Sequence, residues 1–132
     1  ELNEKITPIE AGLSWALDEE RLEDENLNGN KVLSYQLKNK LSNKKIGLIS
    51  TSKSMLRDGM TLFDNNKNEI GKITSGCFSP NLNKSIAIGY IISEFNTDNP
   101  IFCEIRKKLE LVKINNLPFV KKNYKKNGSI YE

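Results

Sequence analysis

The chain has 132 residues, of which 37% are hydrophobic and 28% charged, the size and composition of a single globular domain. No apolar run approaches the ~20 residues of a membrane-spanning helix, so we expect a soluble protein without membrane contact. The net charge of +3 combines an acidic cluster at residues 19–25 with C-terminal lysines that have a single aromatic residue, Tyr124, among them, so we expect no nucleic-acid partner.

The first 44 residues are predicted to hold one strand and one short helix. Pro8 favours an extended conformation at Thr7. From Ile9 to Leu17, apolar residues alternate with small or polar ones, a pattern typical of a strand. Helical spacing follows Asn30, a candidate N-cap, and predicts a short helix over residues 31–39.

Residues 45–116 are predicted to form antiparallel β-structure, because short apolar-alternating stretches are separated by turn residues. The residues from Asp64 to Asn68 tolerate positive φ and predict a hairpin loop. Hydroxyl residues around Gly76, namely Thr74, Ser75 and Ser79, predict a turn. The predicted strands are Lys45–Ser50, Gly59–Phe63, Ile70–Thr74, Ser85–Ile92, Ile101–Arg106 and Leu109–Ile114.

The chain contains no histidine and only two cysteines, Cys77 and Cys103. These residues supply neither a zinc ligand set nor a nucleophile–base pair, so we expect no metal site and two reduced, structural thiols. One disulfide between them stays open as an alternative. Acid–base catalysis would fall to carboxylates, lysines or tyrosines, and no pairing of such groups stands out.

Three ordered motifs are spaced along nearly the whole chain: Thr7–Trp15 (TPIEAGLSW), Thr74–Leu82 (TSGCFSPNL) and Leu117–Val120 (LPFV). Together they resemble the aminomethyltransferase family, the T-proteins of the glycine cleavage system. The resemblance implies a mainly β fold, a six-stranded antiparallel Greek-key barrel with one or two short helices near its N-terminal side. It also implies one C-terminal domain, with a leading segment (1–44), barrel strands (45–116) and a basic tail (117–132), whose N-terminal folate-binding body is missing.

The resemblance also implies a reaction. Enzymes of this family transfer the methylene of an aminomethyl group, carried on the lipoyl arm of the H-protein, to tetrahydrofolate with release of ammonia. Their key aspartate lies upstream of this chain, so we expect no catalytic residue here and no activity from the chain alone. The expected co-substrate is tetrahydrofolate without a metal, and the expected partners are the H-protein and the rest of the T-protein. The expected compartment is the bacterial cytoplasm or the mitochondrial matrix.

Three residues are candidates for the folate site on the basis of this resemblance. Tyr124 follows the LPFV motif, and a tyrosine ring can pack on a pterin while its hydroxyl bonds a polar edge. Trp15 is expected near the interface with the missing body, with core packing as the alternative. Glu10 is expected to bond the opposite domain or to orient backbone near the site. Lysines in the tail could steer an anionic polyglutamyl chain: Lys121, Lys122, Lys125 and Lys126.

Two other functions stay open. The chain could be the C-terminal domain of a folate-linked sarcosine or dimethylglycine dehydrogenase or demethylase, or a free-standing, non-catalytic binding module. The domain interpretation predicts an uncovered apolar face around Trp15 that the intact protein covers. A polar start without an initiator methionine favours truncation of a longer protein.

Overall fold

The computed structural model describes residues 2–18, 20–39 and 41–121, which form a closed barrel preceded by turns and short helices. Neighbouring strands are antiparallel and follow each other around the barrel in the order β1-β4-β3-β2-β5-β6. Because β1 lies beside β4 while β2, β3 and β4 are consecutive, these four strands form a Greek key. The strands are β1 (Asn43–Ser50), β2 (Thr61–Phe63), β3 (Glu69–Ser79), β4 (Lys84–Ile92), β5 (Ile101–Ile105) and β6 (Lys108–Asn115). The predicted six-stranded antiparallel barrel is confirmed.

The core fills the barrel with side chains that alternate along the strands. Ile46 and Leu48 on β1 show this period, and both are buried. Leu56 comes from the connection between β1 and β2 and is fully buried in the same cluster. Its backbone N–H donates to Ser85 Oγ at 2.8 Å, which ties this connection to β4. The cluster comprises Ile46, Leu48, Leu56, Leu62, Ile70, Ile73, Ala87, Ile91, Ile101, Cys103, Ile105 and Val112.

The predicted hairpin loop between β2 and β3 is confirmed. Backbone N–H groups of Asn66 and Asn68 each donate to Asp64 Oδ1 at 2.8 Å, and Asn68 Nδ2 donates to Asp64 Oδ2 at 2.9 Å. The hydrogen bonds from the Asn68 side chain and backbone lower the pKa of the Asp64 carboxyl. Asp64 thus organises the loop and stays ionised at neutral pH.

Strand β3 continues well beyond the predicted end at Thr74. The predicted turn at Thr74, Ser75 and Ser79 is wrong, because these residues lie in β3, which pairs with β4 as far as Ser79. A register shift between Ile73 and Ser75 accommodates the polar stretch within the sheet. The reversal comes later, at residues 80–83, where Asn83 adopts φ 50°, a conformation that asparagine tolerates.

The predicted short helix is confirmed as α1 (Asn30–Lys38), but its predicted N-cap is wrong. Gly29, with φ 83°, occupies the cap position, because a glycine adopts the left-handed conformation without strain. Asn30 instead donates from Nδ2 to the carbonyl oxygens of Leu22 and Asp24. None of the α1 side chains is fully buried. Among residues 2–18, 20–39 and 41–121, none of the helices has the length and hydropathy of a membrane-spanning segment.

The strand predicted from Ile9 to Leu17 is wrong. The segment forms a turn with helical hydrogen bonds, in which Ala11 N–H donates to Thr7 O at 3.0 Å and Leu13 N–H to Pro8 O at 2.8 Å. Pro8 fits the first position of such a turn, which needs no N–H donor, and Thr7 occupies the cap position before it. Gly12 ends the turn with φ 70°, and short 3₁₀ turns follow at Ser14–Ala16 and Arg21–Glu23.

Candidate functional site

Glu10 is only 7% exposed, and its carboxylate acts within its own turn. Glu10 Oε2 accepts hydrogen bonds from Thr7 N–H at 3.1 Å and from Thr7 Oγ1 at 3.3 Å. The Thr7 hydroxyl also lies 2.7 Å from Gln36 Oε1, so the turn is tied to α1. The Glu10 N–H in turn donates to Thr7 Oγ1 at 3.2 Å, so Thr7 and Glu10 form a capping box that fixes the backbone of the turn. A contact between Glu10 and another domain stays a prediction.

Trp15 is 81% exposed, so its alternative assignment to core packing is wrong. It lies in the 3₁₀ turn Ser14–Ala16, none of whose residues is buried. Other large apolar side chains of the leading segment are also exposed: Leu2, Val32, Tyr35 and Leu37. A tryptophan is costly to leave in water and is enriched in protein interfaces, which agrees with a role in contacting another surface.

The outer face of β1 brings the first and last motifs of the sequence together. A Cβ atom built at Gly12 would lie 3.7 Å from Lys45 Cε, so the Thr7–Leu13 turn packs beside β1. Two residues along the same strand, a Cβ atom at Gly47 would lie 2.8 Å from Leu117 Cδ2. The first residue of the LPFV motif therefore packs against β1, which the TPIEAGLSW motif also contacts.

Tyr124 lies outside the described residues, as do Lys122, Lys125 and Lys126. Its predicted contact with folate stays a prediction. The last described residue is Lys121, which is exposed.

A basic groove, which the sequence analysis missed, lies between the β1–β2 connection and the β5–β6 hairpin. It encloses about 570 Å³ and includes the apolar side chains of Met55, Met60 and Ile105. Its exposed cations are Lys53, Arg57, Arg106 and Lys108. Because these cations come from two separate stretches of sequence, only the pairing of the strands brings them together.

The hairpin between β5 and β6 gives the groove two of its cations through an unusual turn. Ile105 pairs with Lys108, so the turn consists of Arg106 and Lys107 alone. Their φ angles are 51° and 64°, the left-handed conformation that a two-residue hairpin requires and that usually selects asparagine or glycine. Backbone strain of this kind persists where the surrounding structure enforces it, often at functional sites.

Glu110 is the acidic member of the groove, and its hydrogen bonds come from serines. Ser52 and Ser54 hydroxyls donate to its two carboxylate oxygens, and these bonds lower the pKa of Glu110, with a smaller contribution from Lys108 and Arg106. In the part of the chain that the structure describes, the one ion pair joins Lys72 to Glu69, outside the groove. The groove cations are therefore available to an anionic partner.

We expect the hydrogen bonds of Glu110 to make stability depend on acid pH. A carboxyl whose folded pKa is lowered stabilises the fold above its ordinary pKa of 4.5, and this stabilisation is lost as pH falls through the folded pKa. Wild type should thus have a higher melting temperature than Glu110→Gln at pH 7, and this difference in melting temperature should be smaller at pH 3. Thermal unfolding at both pH values measures this; a difference that persists at pH 3 would assign the effect to packing.

Both cysteines are free, so the alternative of a disulfide between them is wrong. Cys77 is exposed, whereas Cys103 is buried in the barrel core. Burial, with smaller effects from Glu110 and Glu104, raises the pKa of the Cys103 thiol to about 11, so it is protonated at neutral pH. Among residues 2–18, 20–39 and 41–121, no cluster of three potential ligand side chains could hold a metal ion.

Comparisons with known proteins agree with this geometry. Residues 44–121 match the family model of the glycine cleavage T-protein C-terminal barrel domain. The mitochondrial aminomethyltransferase of Homo sapiens is 33% identical over 94% of this chain and 31% of its own length. The aminomethyltransferase of Bacillus subtilis (strain 168) is 38% identical over 92% of this chain and 33% of its own length.

A solved structure is also similar. The crystal structure of glycine cleavage system aminomethyltransferase T from Bartonella henselae superposes with a TM-score of 0.79 at 34% sequence identity. The match covers 89% of this chain and 33% of that chain. The chain thus spans about a third of the length of the curated relatives it matches.

Proposed function

Because the chain belongs to the glycine cleavage T-protein family as its C-terminal barrel domain, we propose that it completes an aminomethyltransferase of which it forms about a third. The term full-length enzyme means here this chain joined to the N-terminal two-thirds that its relatives contain. It would transfer the methylene of the aminomethyl group on the H-protein to tetrahydrofolate and release ammonia. The chain alone would be inactive. The relatives named above are aminomethyltransferases, which favours this reaction over that of a folate-linked dehydrogenase.

The exposed apolar surface of the leading segment carries this proposal. The barrel core contains no residue before Ile46, so residues 2–39 contribute nothing to it. Trp15 is 81% exposed, and α1 has no fully buried side chain although Val32 and Tyr35 lie on it. Exposed aromatic side chains such as those of Trp15 and Tyr35 are enriched in protein interfaces, which supports an interface role for this segment. We propose that the N-terminal body covers it, and that segment 1–44 links that body to barrel 45–116 and tail 117–132.

Complementation tests the proposal. The chain and the N-terminal two-thirds are prepared as separate polypeptides, and ammonia release is measured with aminomethyl-loaded H-protein and tetrahydrofolate. We expect activity only in the mixture. Trp15→Ala should lower that activity about tenfold or more at limiting concentration, because an exposed tryptophan is a frequent interface anchor. Leu111→Ala, which removes a 40% exposed leucine from β6, is the matched control and should retain activity.

Two results would contradict the proposal. Ammonia release by the chain alone would show a complete enzyme. Equal complementation by Trp15→Ala and wild type would show that this surface does not meet the body.

We further propose a division of roles among the three candidate residues. The Glu10 carboxylate is occupied by Thr7, which supports a role in orienting the turn. The exposure of Trp15 supports a contact with the body. Tyr124 would then contact tetrahydrofolate itself, with no metal involved. Bacterial and mitochondrial relatives both occur, so either the bacterial cytoplasm or the mitochondrial matrix suits the chain.

We propose the basic groove as the surface that receives the H-protein, through acidic residues of that partner. Its four cations form no ion pair within the described residues, and its carboxylate is held by serines. Unpaired cations around an apolar floor suit an acidic protein surface better than a neutral one.

A further inference from the structure

Ser85 is a buried polar residue of β4, only 3% exposed, and its hydroxyl has two partners. Its Oγ accepts a hydrogen bond from the Leu56 N–H at 2.8 Å and donates one to Cys77 O at 3.4 Å. Leu56 belongs to the β1–β2 connection, whereas Cys77 belongs to β3. One hydroxyl group therefore joins this connection to both central strands of the Greek key.

Gly76 on β3 gives the connection the space to approach the sheet. A Cβ atom at Gly76 would overlap Leu56 O and lie 2.8 Å from Leu56 C and 3.2 Å from Arg57 N. These are backbone atoms, so the connection lies directly on the strand where a side chain would otherwise stand. The backbone from Leu56 to Arg57 is thus packed on Gly76 and bonded to Ser85.

Arg57, the next residue, is one of the four cations of the basic groove. Its own N–H donates to Met60 Sδ at 3.4 Å. Beyond it, the Gly59 N–H donates to Ile73 O and the Ile73 N–H donates to Met60 O, each at 2.9 Å. The exposed guanidinium group of Arg57 therefore extends from a short segment whose two ends are both fixed to the sheet.

We propose that Ser85 is a positioning residue for the basic groove, because its hydroxyl fixes the backbone from which Arg57 meets the H-protein. This inference rests on the proposed function, in which the groove receives that partner. Ser85 is not among the residues that line the groove, so its effect passes through the connection. Fixing the connection before the partner arrives reduces the conformational entropy lost on binding.

Ser85→Ala in the full-length enzyme is the direct test. The buried Leu56 N–H would lose its acceptor, which is costly, so the connection would shift until water reaches this group. We expect the Kd of the H-protein complex to rise about fivefold, the effect of ordering one long side chain at an interface. Ser79→Ala is the matched control, because Ser79 is also buried but its hydroxyl accepts from Leu82 N–H, outside the groove.

A double-mutant cycle with Arg57→Ala separates positioning from a general loss of stability. If Ser85 acts through Arg57, Ser85→Ala should change the Kd by less than about twofold once Arg57 is alanine, because coupled residues are not additive. Titration calorimetry on wild type, both single variants and the double variant measures this. Equal weakening by Ser85→Ala in the presence and absence of the Arg57 side chain would overturn the inference.

Hydrogen exchange gives a second readout that does not depend on the H-protein. In the full-length enzyme, the peptide covering residues 51–60 should exchange faster in Ser85→Ala than in wild type, and at the wild-type rate in Ser79→Ala. Unchanged exchange in Ser85→Ala would also overturn the inference, because the connection would then be held without the hydroxyl.

The same variants distinguish failure of this inference from failure of the proposed function. If Arg57→Ala weakens binding of the H-protein and Ser85→Ala does not, the groove receives its partner and Ser85 has no positioning role. If neither variant weakens binding although residues 51–60 exchange faster in Ser85→Ala, Ser85 holds the connection and the assignment of the groove to the H-protein is wrong.

Discussion

Gly71→Ala is expected to destabilise the barrel by about 3 kcal/mol, the upper part of the range for forcing extra atoms into a packed interior. A Cβ atom at Gly71 would overlap Tyr90 O and lie 2.8 Å from Ile91 Cα. Both atoms belong to the backbone of β4, so no side-chain rotation can relieve the overlap. The two strands would have to separate where Gly71 pairs with Ile91. Because β3 and β4 lie between β1 and β2 in the barrel, this separation would weaken the sheet that joins them.

Urea denaturation of the chain measures this effect as the change in the midpoint at constant slope. Lys72→Ala is the matched control, because it changes the adjacent residue of β3 and removes only an exposed 3.7 Å ion pair with Glu69. Such a pair contributes about 0–1 kcal/mol. Equal midpoints for Gly71→Ala and Lys72→Ala would show that β4 can move away from β3 without cost.

The double variant Arg57→Glu/Arg106→Glu should weaken binding of the H-protein to the full-length enzyme about a hundredfold at low ionic strength. Like charges placed across an interface cost several kcal/mol, and this variant would place carboxylates opposite the acidic surface proposed for the partner. Added salt should narrow the difference, because it screens exposed charges. Titration calorimetry at two salt concentrations measures both effects.

Lys72→Glu/Lys113→Glu is the control for net charge. It reverses two exposed lysines outside the groove and changes the net charge by the same amount. Equally weakened binding of the H-protein in both double variants would show that the effect comes from net charge and not from the groove. Unchanged binding in Arg57→Glu/Arg106→Glu, with an unchanged melting temperature, would remove the groove from the H-protein interface.

Features that depend on local chemistry could be predicted from the amino-acid sequence. Alternation around Ile46 and Leu48 predicted a strand with one buried face, since neighbouring side chains point to opposite faces. The Asp64–Asn68 stretch predicted a hairpin loop, because its short polar side chains bond nearby backbone. The three motifs predicted the family, which residues 44–121 now show. They also singled out Glu10 and Trp15, although the structure tests the site role of neither.

Features that depend on residues far apart in the sequence could not be predicted and follow from the folded barrel. Residues from Ile9 to Leu17 alternate like a strand, yet the hydrogen bonds around Thr7 close a turn against α1. The Ser75 stretch has turn chemistry, yet pairing with β4 keeps it extended, because ladder hydrogen bonds outweigh local preference. The basic groove and the packing of Leu117 beside Gly47 each join segments far apart in sequence. Their geometry follows from the closure of the barrel, which no local pattern encodes.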